Sequence, residues 1–254
     1  MISSKNWVTI KSKQEIASMK KAGHIVAIVL QKISDLIKPG ITTEYLDSVA
    51  LEEILSMGAK PAFLGLYGFP ATICTSINEE IVHGIPSDRI INSGDLLKID
   101  IGAIVDGMYS DHAVTFAVGD VSDEAKNLLD STRNALMIAF QTVAPGVRLG
   151  DVGSNIQIYA EERGYSVVRE YVGHGIGRSL HEDPPVPNFG IPGRGMILRE
   201  GMAIAIEPML NIGTWKTEVL EDNWTVVTAD RKLSAHFEHT MIVTKDGAEL
   251  TTVI

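Results

Sequence analysis

Four acidic residues and one histidine have the types and spacing that chemistry needs: Asp100, Asp111, His174, Glu207 and Glu238. Asp100 and Asp111 lie in residues 99–116, IDIGAIVDGMYSDHAVTF, where two apolar, β-branched runs flank Asp106-Gly107. That dipeptide takes up positive φ easily and suits a two-residue type I′ hairpin turn. With these two residues as the turn, Val105 pairs with Met108, Gly102 lies opposite Asp111, and Ala113 lies opposite Asp100. Side chains alternate faces along a strand, so the two aspartates share a face as diagonal neighbours, and Gly102 leaves an empty slot beside them. Two carboxylates on the buried face of an apolar hairpin repel each other unless something positive lies between them.

The elements that position this pair occur twice. Ser12 and Glu15 form a capping box ahead of apolar residues Ile16, Met19, Ile25, Val26, Val29, Leu30, Ile33 and Ile37, which predicts a long amphipathic helix stopping around Pro39-Gly40. A second helix is predicted over 43–57, closed by Gly58. A glycine-rich loop, LGLYGFPATIC, a strand-like segment ending in His83-Gly84-Ile85-Pro86, and the hairpin follow. Then Ser122-Asp123-Glu124 opens a third helix through Leu128, Leu129, Leu136 and Phe140 to Pro145-Gly146, and a shorter fourth helix ends at Gly164. The two Pro-Gly pairs are offset by 106 residues, as are Gly58 and Gly164. The run GDLLKID from Gly94 matches GMAIAIE from Gly201 at an offset of 107, aligning Asp100 with Glu207. Asp111-His112 and Glu238-His239 close the two units, with the extra residues of the second in the loop over 211–231. We read residues 1–254 as a single catalytic domain with an internal duplication, its halves roughly 12–118 and 119–247, and its acidic pairs converging on a pseudo-two-fold axis.

Four adjacent carboxylates either take up protons or hold cations, because burial and like charge both disfavour their ionisation. Two divalent ions balance four carboxylates. An oxygen-rich set with one imidazole suits Mn, Fe, Co or Zn, and resembles neither a thiolate zinc site nor a calcium loop. Asp111 and Glu238, from matching strands, are the expected bridging ligands, with Asp100 on one metal and His174 and Glu207 on the other. Paired metals activate a water and polarise a carbonyl, which is the chemistry of hydrolysis.

Composition narrows the class. The chain has 254 residues, 45% hydrophobic and 21% charged, enough to bury a large core. A net charge of −10 without a basic run argues against nucleic acid or an anionic membrane as partner. The start of the chain, MISSKNWVTIKSKQ, lacks an apolar leader core, and no run approaches a membrane span. The single cysteine, Cys74, rules out a disulfide within the chain and fits a cytoplasmic protein. No basic residue is placed to activate Cys74, so it reads as a pocket wall. Residues 165–172, YSVVREYV, read as a strand leading into GHGIG, which lacks the spacing and βαβ frame of a dinucleotide fingerprint. His112 and His239 neighbour proposed ligands, but alternation turns both to the opposite face, whereas His236 shares the face of Glu238.

Five motifs in this order, HGIP (83–86), the Asp100/Asp111 hairpin, GHGIGRSLHEDP (173–184), IEPM (206–209) and FEHT (237–240), resemble methionine aminopeptidase of type I over nearly the whole chain. The resemblance implies an α+β pita-bread fold, with two pseudo-symmetric halves and an antiparallel sheet covered by helices. It also implies a dinuclear metal site with the five ligands named above, and removal of the initiator methionine ahead of a small second residue. By position, His83 and His181 match histidines that contact the scissile peptide and assist proton transfer, and Glu207 matches a ligand that also handles the proton of the attacking water. The matching methionine pocket is Leu66, Phe69, Cys74, Leu180 and Trp224, with Leu66 and Leu180 where many relatives carry Tyr and Phe. Only 26 positions separate His181 from Glu207, which leaves no room for the insertion of the type II class. The implied partner is a peptide or nascent-protein N-terminus, met by a monomer in the cytoplasm with transient ribosome contact.

Overall fold

A computed structural model describes residues 8–254; residues 1–7, the start of the segment read above for a leader, lie outside the described residues. The first helix, α1 (Lys13–Leu36), opens on the expected capping box: Ser12 Oγ accepts from the Glu15 N–H, and the Glu15 carboxylate accepts from the Ser12 N–H. Helix α2 (Thr43–Ser56) is capped by Thr42 and followed by Gly58 at φ 75°. The second pair, α3 (Asp123–Thr142) and α4 (Leu149–Glu161), ends just before Gly164, at φ 81°.

Nine of the described strands form one antiparallel sheet, and the rest form two three-stranded sheets, Ser234–His236 with Met209–Asn211 and Ser166–Val167, and Thr217–Val219 with Val226–Thr228 and Glu80–Val82. The main order of the nine-stranded sheet is Lys60–Pro61, Leu96–Val105, Met108–Ala117, Glu238–Thr244, Ala203–Ile206, Gly173–Gly175 and Glu182–Val186. Ile73–Ile77 also pairs with Leu96–Val105, and Gly247–Leu250 with Glu238–Thr244. The hairpin register is the predicted one, with Val105 opposite Met108, Gly102 opposite Asp111 and Asp100 opposite Ala113, and with positive φ at Asp106 and Gly107.

Both helix pairs pack on one face of this sheet. Ile25, Val26, Val29 and Leu30 of α1 and Leu46, Ala50 and Ile54 of α2 bury against Leu97, Ile99, Ile101 and Ala103. Leu128, Leu136 and Ala139 of α3 and Val152 and Ile156 of α4 bury against Ile204, Ile206, Met241 and Val243. The strand residues in both clusters are alternate ones, so the residues between them, Asp100 and Ala205 among them, face the other way. This is the pita-bread arrangement: helices behind, site in front.

Three expectations need correcting. The slot beside Gly102 is filled, since a Cβ there would come 2.9 Å from Ala62 Cβ and 3.0 Å from Phe63 Cε1. The glycine-rich loop ends earlier than its sequence indicates, because Ile73 and Cys74 already pair with Ile101 and Asp100. Of residues 165–172 only Ser166–Val167 is strand.

Candidate metal centre and substrate pocket

The register alone brings the proposed ligands into one row. Gly102 lies opposite Asp111, Ala113 opposite Glu238, Thr240 opposite Ala205, and Ala205 opposite His174. Residues opposite each other in a ladder share a face, so Asp100, Asp111, Glu238 and His174 all project from the side facing away from the helix pairs. Glu207 follows directly after the Ala203–Ile206 strand, and Asn188 holds it there by donating Nδ2–H to the Glu207 carbonyl at 2.9 Å. Thr240 fixes the backbone of Asp111, accepting from its N–H at 2.8 Å and donating to its carbonyl at 2.9 Å.

The side chains converge. Ligand atoms of Asp111, His174 and Glu238 lie within 4.8 Å of one another. His174 Nε2 stands 4.0 Å from Asp111 Oδ2 and 3.8 Å from Glu207 Oε1. These gaps are too long for hydrogen bonds and within the span of two ligands on one ion, each bonded at about 2.0–2.2 Å. The Nδ1 of His174 faces the Gly175 carbonyl at 2.9 Å, so it carries the proton and leaves the Nε2 lone pair directed at the carboxylates.

The electrostatics of the row are those of a cation site. Burial raises the Asp100 carboxyl to about 7 and, with the charge of Asp100, raises Glu207 to about 8. Burial also lifts Asp111 and Glu238 well above the carboxylate range, reinforced in each by neighbouring carboxylates. Asp100 Oδ1 and Glu238 Oε1 are buried without a hydrogen-bond partner among the described residues. Buried acceptors are rarely left so, and a divalent cation supplies what both lack. The donor set therefore fits a divalent metal.

Beside the row lies a cavity of about 130 Å³, lined by Phe63, Leu66, Phe69, Cys74, Leu180 and Trp224, with Asp100, Asp111, His174, Glu207 and Glu238 on its polar side. Phe69 and Trp224 close one wall edge to face, centroids 5.1 Å apart. Cys74 sits opposite Asp100 in the ladder, and burial raises its thiol well above the ordinary range. That places Cys74 in the wall as expected and rules it out as a thiolate nucleophile.

His83 and His181 line the same cavity from loops. His83 has φ 62°, and its turn is tied down because Thr75 N–H donates to the Gly84 carbonyl at 2.7 Å. His181 is exposed at the mouth, its ring 4.5 Å from that of His174 and nearly perpendicular to it. Burial lowers the His83 imidazole to about 4 and lowers His181 as well. His236 is buried with Nε2 3.7 Å from Glu207 Oε2, on the site side as its spacing from Glu238 implies. His112 and His239 stack on each other at 4.4 Å on the opposite face, away from the row.

Sequence reasoning missed three lining residues, Phe63, Tyr67 and Val82. The sign of Phe63 was Gly102 itself, since a strand glycine marks a close approach by another group. Tyr67 stands exposed between Gly65 and Gly68 at φ 50°, its ring parallel to that of His181 at 6.0 Å, and periodicity says nothing about such a loop.

Residues 17–245 match metallopeptidase family M24. The chain is 47% identical to the methionine aminopeptidase of Clostridium perfringens over 97% of its own length and 99% of that protein. It is equally 47% identical to methionine aminopeptidase 1 of Bacillus subtilis, over 96% of this chain and 99% of that one. Among solved structures, the methionine aminopeptidase of Thermotoga maritima superposes with a TM-score of 0.97 at 45% identity, covering 98% of this chain and all of that one.

Proposed function

The chain belongs to metallopeptidase family M24, and from that premise we propose that it removes the initiator methionine from peptides and newly made proteins by metal-dependent hydrolysis of the first peptide bond. The observation that carries this reading is the row of four buried carboxylates and His174 along one side of an apolar, aromatic-walled pocket. Relatives at 47% identity over nearly their full length bear the name of this activity.

In this reading the chain is a single catalytic domain of two duplicated halves, roughly 12–118 and 119–247. Two divalent ions, of Co, Mn, Fe or Zn, would be held by Asp100, Asp111, His174, Glu207 and Glu238, with Asp111 and Glu238 as the ligands expected to serve both. Ions bound there supply Lewis acidity, which lowers the pKa of a water and polarises a carbonyl. Leu66, Phe69, Cys74, Leu180 and Trp224, with Phe63, take the methionine side chain and so set which peptide bond faces the carboxylates. Glu207, whose side chain keeps about 14% of its surface accessible, accepts the proton of the attacking water. His83, held neutral by burial, and His181 at the mouth hydrogen-bond the scissile amide and assist the transfer to the departing nitrogen of the proton that Glu207 takes from the water. Neutral imidazoles do this without placing another positive charge beside the metals. In this reading the working unit is a monomer. We place its substrates among chains leaving the ribosome in the cytoplasm; no helix among the described residues is long and apolar enough to cross a membrane.

The test is a side-by-side assay of Met-Ala, Met-Leu and Ala-Pro peptides on chelated enzyme, with single metals restored one at a time. Cleavage of Met-Ala that returns with metal and exceeds that of Met-Leu is expected. Cleavage of Ala-Pro peptides with none of Met-Ala would move the chain to the Xaa-Pro class of the same fold.

A further inference from the structure

The turn that carries His181 is held by a segment from the far end of the chain. Glu182, its neighbour, gathers four donors on one carboxylate: Thr9 Oγ1–H at 2.8 Å, Lys11 Nζ at 2.8 Å, and the backbone N–H groups of Arg178 at 2.6 Å and Ser179 at 3.2 Å. The Lys11 side chain is 1% exposed and that of Glu182 11%. The ammonium of Lys11 also donates to the Thr9 hydroxyl. Its stem lies so close over Gly177 that a Cβ there would come within 2.0 Å of Lys11 Cε. The segment is anchored in turn, because the Lys11 N–H donates to the Gly201 carbonyl at 2.8 Å, and Gly201 N–H donates to Val243 at 2.9 Å. Outside this knot, Arg178 Nε donates to Glu15 Oε1 at 2.7 Å.

An isolated buried ion pair adds little net stability, because desolvation of both charges opposes their attraction. What this pair does supply is geometry. Glu182 begins a strand directly after His181, so a carboxylate tied to Lys11, Thr9 and the backbone of the 178–179 turn fixes the chain on both sides of His181. Loop residues carrying chemistry need such an external brace, since a displacement of about 1 Å costs as much as 10²-fold in rate.

We infer that Lys11 and Glu182 are positioning residues for His181: their buried pair fixes the 177–182 turn so that the imidazole faces the scissile bond. The inference rests on the role given to His181 above, and the test separates the two. Lys11→Met keeps the stem and removes the ammonium; Glu182→Gln keeps the shape and removes the charge. Each is assayed for kcat and KM on a Met-Ala peptide, with calorimetric metal titration, in wild-type and His181→Ala backgrounds. We expect kcat to fall about 10- to 100-fold with KM and metal affinity within about twofold, and a further loss of less than twofold when His181 is already Ala. The imidazole ¹⁵N resonances of His181 should broaden in Lys11→Met and keep those of His174 unchanged. Equal losses in both backgrounds, a folded Lys11→Met with wild-type kcat, or a fall in metal affinity that tracks kcat would overturn the inference. Should Lys11→Met fail to fold, Glu182→Gln carries the same comparison. Full kcat in His181→Ala alone would instead remove the role of His181 itself.

Discussion

Asp100→Asn should make the metal-free protein more stable at pH 8 while abolishing its stabilisation by metal. Burial moves the Asp100 carboxyl from 3.8 to about 7 in the native state. Because the folded value lies above the unfolded one, the native state binds the extra proton between these limits, and stability falls as pH rises through that window. Below about pH 3 the carboxyl is largely protonated in both states and little is lost; by pH 8 the loss is nearly complete. A gap of about three pH units at about 1.36 kcal/mol each gives about 4 kcal/mol. For a chain of this size, about 2–4 °C in Tm follows from each kcal/mol, so we expect a rise of about 8–16 °C in chelated Asp100→Asn at pH 8. At pH 3 the variant and wild type should melt together. With saturating metal the order reverses, because binding to the native state stabilises wild type by mass action and the variant has lost a ligand. Differential scanning calorimetry in chelator and in added Mn or Co, at three pH values, measures all of this. A chelated Asp100→Asn that melts below wild type at pH 8, or gains the same at pH 3, would mean that the four carboxylates satisfy one another internally and that the case for a cation site is wrong.

Ligands and helpers should separate cleanly: Asp111→Asn or Glu238→Gln should lose bound metal together with activity, whereas His83→Ala should keep its metal content and lose about 10²–10⁴ in kcat, both read by elemental analysis beside kinetics. Cys74→Ser should retain turnover with a modest change in KM, since the buried thiol stays protonated; a kcat loss beyond about 100-fold would contradict a wall position. Gly102→Ala should lose about 1–3 kcal/mol by overpacking and raise KM, because the only relief is to push back Ala62 and the pocket-lining Phe63; calorimetry and peptide kinetics test the two halves of that expectation.

The parts of the site legible in the sequence were those written in local rules. A two-residue Asp-Gly turn with alternating neighbours leaves one register, and Asp100 and Asp111 landed in the expected relation. The sequence repeat also pointed to the second acidic pair: Glu238 opens its strand, while Glu207 falls one residue past the end of Ala203–Ile206 where Asp100 lies within its strand. Contacts between segments distant in sequence had no such signature. Gly102 announced a close approach without saying that Ala62 and Phe63 fill it. Residues 165–172 carried β-branched residues enough for a strand, yet pairing partners exist only for Ser166–Val167. The brace from Lys11 to Glu182 spans 171 positions and rests on one lysine among many.

The row of ligands also fixes when during synthesis the chain can act. The last-made central strand, Glu238–Thr244, stands in the middle of the sheet, between Met108–Ala117 and Ala203–Ile206. Until it has left the ribosome, the hairpin bearing Asp100 and Asp111 has no neighbour on its second edge, and the strands bearing His174 and Glu207 have nothing joining them to it. Long-range pairing of this kind forms slowly and late. A chain interrupted before residue 238 lacks both Glu238 and the strand that lies between the hairpin of Asp100 and Asp111 and the strand of His174 and its neighbour Ala203–Ile206. In the reading proposed above, completion of Glu238–Thr244 is the step that brings the two carboxylate pairs and His174 into one row.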